Sequence, residues 1–170
     1  HVPKLAADIL QHDESIQEIA LEVEKAAYVL YLARGSLYPI ALEGALKLKE
    51  ISYIHAEGYA SGEMKHGPLA LIADDMLVVV ICPKDQHYEK TLSNLQEAKA
   101  RGGVIVSIGS GDDEALKEMS LEYLALPQSD WMASGILSVI PVQLLAYHVA
   151  EVSGYDVDQP RNLAKSVTVE

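Results

Sequence analysis

The sequence is poor in basic side chains and in cysteine. Lys and Arg number 13 against 25 Asp and Glu, so the formal net charge is -12. Binding to nucleic acid or to an anionic membrane surface depends on an excess of positive charge, so both classes of partner are disfavoured. The single cysteine, Cys82, excludes an internal disulfide. It lies in an apolar run, which predicts a buried thiol and fits the reducing cytoplasm.

Signals for secretion or membrane insertion are also lacking. We find no continuous apolar stretch approaching the roughly 18 residues of a membrane span. The N-terminus, His1–Lys4, has no basic segment followed by an apolar core. With 170 residues, 49% of them hydrophobic and 22% charged, the chain is expected to form one globular domain with its own core. Because it starts at His rather than Met, we interpret it as a fragment of a longer protein.

Short apolar segments rich in β-formers alternate with segments of helical periodicity. Strands are predicted at 27–33, 77–82, 104–108 and 121–126, with a weaker candidate at 54–59, and helices at 39–53, 88–100 and 134–152. Pro141 is expected in the first turns of the last helix. This alternation favours an α/β fold with three αβα layers, a doubly wound sheet of about five parallel strands, and ligands at the carboxyl ends of the strands.

The two ends of the chain do not follow this alternation of strands and helices. Residues 1–25 contain one predicted amphipathic helix, 5–24, which would either cap the sheet or connect to a preceding domain. Residues 26–157 form the α/β domain. Residues 158–170 have no helical period and are either a frayed tail or, because Leu163, Val167 and Val169 are apolar, a packed one.

One predicted helix carries a candidate acid–base group. Glu43, Lys47 and Glu50 are spaced so that they share one helix face. They are either a solvated stripe of ion pairs or a carboxylate beside an ammonium, which could move a proton between adjacent carbons.

Two loops are further candidates. His66 precedes Gly67-Pro68 in a turn and is either an inert loop histidine or an acid–base group suited to neutral pH. The glycine loop 34–36 is a weak candidate for phosphate binding, whereas 107–111 is rejected because two carboxylates follow it. Neither His66 nor His55 has neighbours at metal-ligand spacing, so no metal site is predicted.

Three segments carry a resemblance to a known family. Residues 38–57, 62–68 and 158–170 resemble the C-terminal sugar isomerase (SIS) domain of the glucosamine-6-phosphate synthases, also called glutamine–fructose-6-phosphate aminotransferases. The resemblance covers nearly the whole chain, and the tail is more specific than the general SIS pattern. It implies a five-stranded parallel sheet with the flavodoxin-like strand order, and no cofactor.

The resemblance also implies roles for individual residues. Glu50 would be the base that carries a proton between the first two sugar carbons. His66 would promote ring opening in a neighbouring subunit's site, which implies a homodimer. Lys165 would form an imine with the open-chain carbonyl, and Glu43 and Lys47 would support the site. The implied partners are fructose 6-phosphate, glucosamine 6-phosphate, a first SIS domain and a glutaminase domain.

On this basis we expect a catalytic fragment that turns over poorly alone. The alternative is a non-catalytic phosphosugar-binding SIS module of a regulator, but a sensor has no use for a reactive lysine near the chain end. A free-standing phosphosugar isomerase is disfavoured because the chain lacks a Ser/Thr-rich phosphate loop.

Overall fold

Five strands form one parallel sheet in the computed structural model, which describes residues 1–74 and 76–163. The strands are β1 Tyr28–Ala33, β2 His55–Ala60, β3 Leu77–Cys82, β4 Val104–Ser110 and β5 Glu122–Leu126. Their order in the sheet is β2-β1-β3-β4-β5, which is the flavodoxin-like order, and every pairing is parallel. The predicted α/β class and doubly wound topology are confirmed.

Helices cover both faces of the sheet. The helices are α1 Val2–Leu10, α2 Asp13–Glu24, α3 Tyr38–Ser52, α4 Tyr88–Lys99, α5 Glu114–Met119 and α6 Trp131–Val152. Helices α1, α2, α3 and α6 share one core, and α4 and α5 pack on the opposite face together with two 3₁₀ segments, Ser61–His66 and Pro68–Leu71.

The central strands read as continuous apolar runs because both of their faces are buried. Along β1, Val29 and Tyr31 point into the core beneath α3 and α6, while Leu30 and Leu32 point into the core beneath α4. Cys82, at the end of β3, is 2% exposed, as the sequence predicts. Burial raises the pKa of its thiol to about 12, which makes it a poor nucleophile.

The leading segment differs from the prediction, because it forms two helices rather than one over 5–24. The chain turns between Leu10 and Asp13. Ile9 and Ile16 are both buried, so the turn lets each helix place its own apolar face on the core. The second helix is tied down by Asp13, whose Oδ1 lies 2.7 Å from Nε2 of His148 on α6.

The last helix also differs from the prediction. Asp130 Oδ1 accepts hydrogen bonds from the backbone N–H groups of Met132 and Ala133, and this cap starts α6 three residues early. Pro141 therefore lies near the middle of the helix, not in its first turns.

The expectation that no stretch approaches a membrane span is wrong for α6. With 22 residues, this helix is long and apolar enough to cross a membrane by length and composition. However, 56% of the most apolar part of α6 is buried inside the domain, where the helix packs against α2 and α3. The apolar length of α6 is therefore explained by its place as a core helix.

Gly58 of β2 should resist any larger side chain. A Cβ at this position would lie 2.9 Å from the carbonyl carbon and oxygen of Ala41 on α3, and backbone atoms cannot move aside cheaply. We expect Gly58→Ala to lower the free energy of unfolding by about 1–3 kcal/mol, measured by urea denaturation.

The matched control is Gly135 of α6, where an added Cβ would meet nothing within 4 Å. Gly135→Ala should raise stability by about 0.5–1 kcal/mol, because alanine is the better helix residue. Equal effects of the two substitutions would contradict the close packing of α3 on β2.

Candidate active site

Helix α3 brings together the acid–base candidates that the sequence placed on one face. Nζ of Lys47 donates to Oε2 of Glu50 at 2.5 Å. Glu43 is held differently, because its Oε1 accepts a hydrogen bond from Nε2 of Gln143 on α6 at 2.9 Å. Glu43 therefore links α3 to α6, whereas Lys47 and Glu50 pair within α3, so the three side chains do not form a continuous stripe of ion pairs.

The Lys47–Glu50 pair is a partly buried ion pair. The side chains are 35% and 28% exposed. The pKa of Lys47 is raised, first by its hydrogen bond to Glu50 and also by the negative charges of Glu50 and Glu43, although partial burial opposes the rise. Lys47 therefore stays an ammonium and holds the Glu50 carboxylate in one place. A fixed carboxylate with an open side is suited to accept and return a proton.

This pair lies at the amino edge of the sheet. Helix α3 starts after the carboxyl end of β1 and ends just before β2, so Glu50 in its last turn is at the edge where the parallel strands begin. Helix α6 runs in the same direction as α3 and also ends at that edge. The chain that follows α6 packs there, since the ring of Tyr155 makes an edge contact with Tyr53 at 4.8 Å between centroids.

His66 lies at the opposite edge. It ends the 3₁₀ segment that follows the carboxyl end of β2, and its side chain is 74% exposed. The segment is fixed beneath it by the fully buried Met64 and by an ion pair between Lys65 and Glu97, whose Nζ and Oε1 are 3.0 Å apart. Within one chain, the structure does not bring His66 and Glu50 together.

Lys165 lies outside the described residues. Arg161, four residues earlier, lies against Tyr53: its backbone N–H donates to the Tyr53 hydroxyl at 3.0 Å, and its guanidinium carbon is 4.0 Å from the ring centroid. The last part of the tail that the structure describes is therefore at the same edge as Glu50.

A cleft of about 490 Å³ opens at the carboxyl edge, beside the point where the strand order reverses. Its lining combines hydroxyl and amide groups with one aromatic ring and one ammonium group, a mixture that suits a polyhydroxylated ligand. These groups belong to Ser36, Lys84, Gln86, Ser110, Ser129, Trp131 and Ser134.

The cleft is poorly suited to bind a phosphate. Arg34, in the glycine loop considered as an anion site, turns away and donates to Asn94 Oδ1 at 3.1 Å. Lys84 is the ammonium of the cleft, but Asp85 also lines it, and Asp113 Oδ2 lies 3.6 Å from Lys84 Nζ. These carboxylates offset the positive charge that a phosphate would need.

Sequence reasoning missed Gln143, Lys84 and Trp131. Gln143 is 100 residues away from its partner Glu43, so no local pattern could indicate that contact. Lys84 and Trp131 carried a usable signal, because they follow β3 and β5 at the carboxyl edge of a predicted parallel sheet. In the described residues, no group of three or more His, Cys, Asp or Glu side chains could hold a metal ion.

Comparison with known proteins identifies the fold family. The family model described as SIS domain matches residues 22–153. The chain belongs to the SIS domain family. Over 171 residues this SIS chain is 56% identical to the glutamine–fructose-6-phosphate aminotransferase (isomerizing) of Bradyrhizobium diazoefficiens, and over 169 residues it is 55% identical to that of Aquifex aeolicus. Both matches cover 99% of this chain and 28% of the relative, so the chain spans less than a third of their length.

A solved structure gives the same result for the SIS fold. The C-terminal domain of glucosamine-fructose-6-phosphate aminotransferase from Francisella tularensis superposes with a TM-score of 0.86 at 45% sequence identity. The match covers 93% of this chain and 44% of that one. This SIS chain therefore has the same fold as part of that C-terminal domain.

The pKa of Lys47 should fall when either neighbouring carboxylate is neutralised, and by different amounts. Glu50→Gln removes the hydrogen-bonded charge, the largest cause of the raised pKa, whereas Glu43→Gln removes only the weaker charge interaction. We expect the larger fall in Glu50→Gln, measured by NMR titration of the Lys47 side chain. An equal or smaller fall in Glu50→Gln than in Glu43→Gln would contradict the pairing described here.

Proposed function

We propose that this SIS chain is the C-terminal isomerase domain of a glutamine–fructose-6-phosphate aminotransferase, acting in the cytoplasm. In the whole enzyme it would help to convert fructose 6-phosphate and glutamine-derived ammonia into glucosamine 6-phosphate. The observation that carries the proposal is the Lys47–Glu50 pair at the amino edge of the sheet, with the start of the tail packed at the same edge. Its similarity to such enzymes along 99% of its length supports the same assignment.

The chemistry needs one base and one amine nucleophile. Lys165 would attack the open-chain C2 carbonyl and form an imine with loss of water, after which ammonia displaces the lysine. Glu50 would then take a proton from C1 and return it at C2 while the O1 proton passes to the imine nitrogen, which converts the ketose imine into the amino aldose. Lys47 would hold the Glu50 carboxylate in place, and Glu43, held by Gln143, would support the helix face.

His66 would act in a second copy of the chain. Glu50 and His66 lie at opposite edges of a sheet whose strands are about 20 Å long, so one substrate cannot touch both in one chain. A homodimer in which each copy lends His66 to the other meets this requirement. The exposure of His66 on a firmly anchored segment supports that role.

The phosphate of the substrate would be held by another domain. The cleft lies at the carboxyl edge of the sheet, whereas Glu50 lies at the amino edge. The ammonium in its lining, Lys84, has the carboxylates of Asp85 and Asp113 nearby. The relatives are more than three times as long as this chain, which leaves room for a preceding SIS domain and a glutaminase domain. We therefore expect residues 1–25 to connect to that SIS domain and the isolated chain to turn over poorly.

Borohydride trapping tests the proposed role of the tail. In the longer protein that includes the preceding domain, fructose 6-phosphate and borohydride should give one adduct on the peptide containing Lys165. Lys165→Ala should remove it, and Lys84→Ala should leave it unchanged. Peptide mass spectrometry checks both results. An adduct at another lysine, or none, would overturn the imine role and favour a non-catalytic regulatory module.

Mixing two inactive variants tests the sharing of His66 between subunits. Glu50→Gln and His66→Asn should each lower isomerisation by about 10²-fold or more, because each removes a proton-transfer group. A random mixture of the two should recover about a quarter of the normal rate, because half of the dimers then contain one intact composite site of two. Isomerisation is measured after denaturing and refolding the two variants together. A mixture that stays as inactive as its parts would place both residues in the site of one subunit.

A further inference from the structure

Tyr53 ends helix α3 in an unusual backbone conformation. Its φ of 64° is left-handed, a region that favours glycine at the end of a helix and disfavours a bulky side chain. Such a residue persists where surrounding contacts hold it, and these positions cluster at functional sites. The contacts of the ring show what Tyr53 does here.

Three contacts connect Tyr53 to the chain that follows α6. Tyr155 meets the ring edge-on, with 4.8 Å between centroids. The Arg161 guanidinium carbon lies 4.0 Å from the ring centroid. The Arg161 backbone N–H donates to the Tyr53 hydroxyl at 3.0 Å. We name Tyr53, Tyr155 and Arg161 the tyrosine clasp.

The tyrosine clasp lies next to the predicted base. Tyr53 is three residues beyond Glu50, which corresponds to about 4.5 Å along the axis of α3. Lys165 is four residues beyond Arg161, and a chain of that length spans at most about 14 Å. Asn162, with φ of 63°, turns the chain immediately after the clasp. The clasp therefore limits how far from Glu50 the lysine can move.

We propose that Tyr53 is a positioning residue that holds the tail so that Lys165 reaches the substrate carbonyl beside Glu50. This role rests on the proposed function, because it acts through Lys165. The benefit is one of proximity: a tail fixed at Arg161 samples a small volume around the carbonyl, whereas a released tail samples a much larger one. Release should slow the attack of Lys165 without weakening the hold on the phosphate.

The test compares substitutions at Tyr53 in the longer protein that includes the preceding domain. Tyr53→Gly removes the ring but suits the left-handed backbone, so the midpoint of urea unfolding should change little. The rate of borohydride trapping at Lys165 and kcat should both fall by about 10–100-fold, a loss of the size that proximity supplies. KM for fructose 6-phosphate should change less than threefold. Tyr53→Phe keeps the ring contacts and loses only the hydroxyl acceptor, so it should retain most of the activity.

Arg161 gives a second test that leaves α3 unaltered. Arg161→Ala should slow trapping, and Arg161→Lys should restore part of the rate because it keeps a cation at the ring. Arg101→Ala is the matched control, since within residues 1–74 and 76–163 the exposed Arg101 side chain hydrogen-bonds only the Glu97 carbonyl of α4.

The possible outcomes separate the two proposals. If the unmodified protein gives no adduct at Lys165, the proposed function fails and the role of the clasp fails with it. If the unmodified protein is trapped and Tyr53→Gly and Arg161→Ala are trapped equally fast, only the clasp is overturned. If trapping and the unfolding midpoint fall in parallel in Tyr53→Gly and Arg161→Ala, the clasp is structural and the positioning role is overturned.

Discussion

The close packing of α3 between the sheet and α6 is the constraint on which the rest of the structure depends. Apart from Leu48, the buried face of α3 is made of small residues, so its backbone approaches β2 at Gly58 and the ring of Tyr31 at Gly44. That approach fixes the rotation of the helix about its axis. With small residues on the buried face, Glu43 can reach Gln143 on α6, and Lys47 and Glu50 pair at the rim. The end of the helix, and with it Tyr53, is then fixed at the amino edge of the sheet.

Much of the fold follows from local patterns in the sequence. The apolar runs at 77–82 and 104–108 could be recognised because burial on both faces leaves no polar alternation, and the glycines at 102 and 103 mark the end of the helix between them. The leading segment was predicted less well. An amphipathic period continues across the turn between α1 and α2, and the contact that separates the two helices joins Asp13 to His148, 135 residues away. Spacing along a chain carries no information about such a partner.

The candidate site, like the fold, could be predicted from the sequence only in part. The shared face of Glu43, Lys47 and Glu50 is a property of one helix, so the spacing was sufficient to predict it. The contacts of Gln143, Tyr53 and Arg161 depend on where α6 delivers the chain, which is a property of the whole fold. The roles of Glu50, His66 and Lys165 came from the resemblance to a family. Spacing alone could not distinguish each of these roles from a structural explanation without catalysis. Lys165 lies outside the described residues, and its role stays a prediction.

The length of α6 explains why the candidate site lies at the amino edge. Doubly wound sheets usually bind ligands at the carboxyl edge, where loops follow the strands. Helix α6 starts at that edge and, with 22 residues, rises about 33 Å, whereas the strands it crosses are about 20 Å long. It therefore delivers the following chain past the amino edge, where Tyr155 and Arg161 meet the end of α3. One edge thus receives the tail and the carboxylate of Glu50, while His66 faces outward at the other. If the proposed function holds, each edge therefore carries half of a site, and a partner surface would have to complete it.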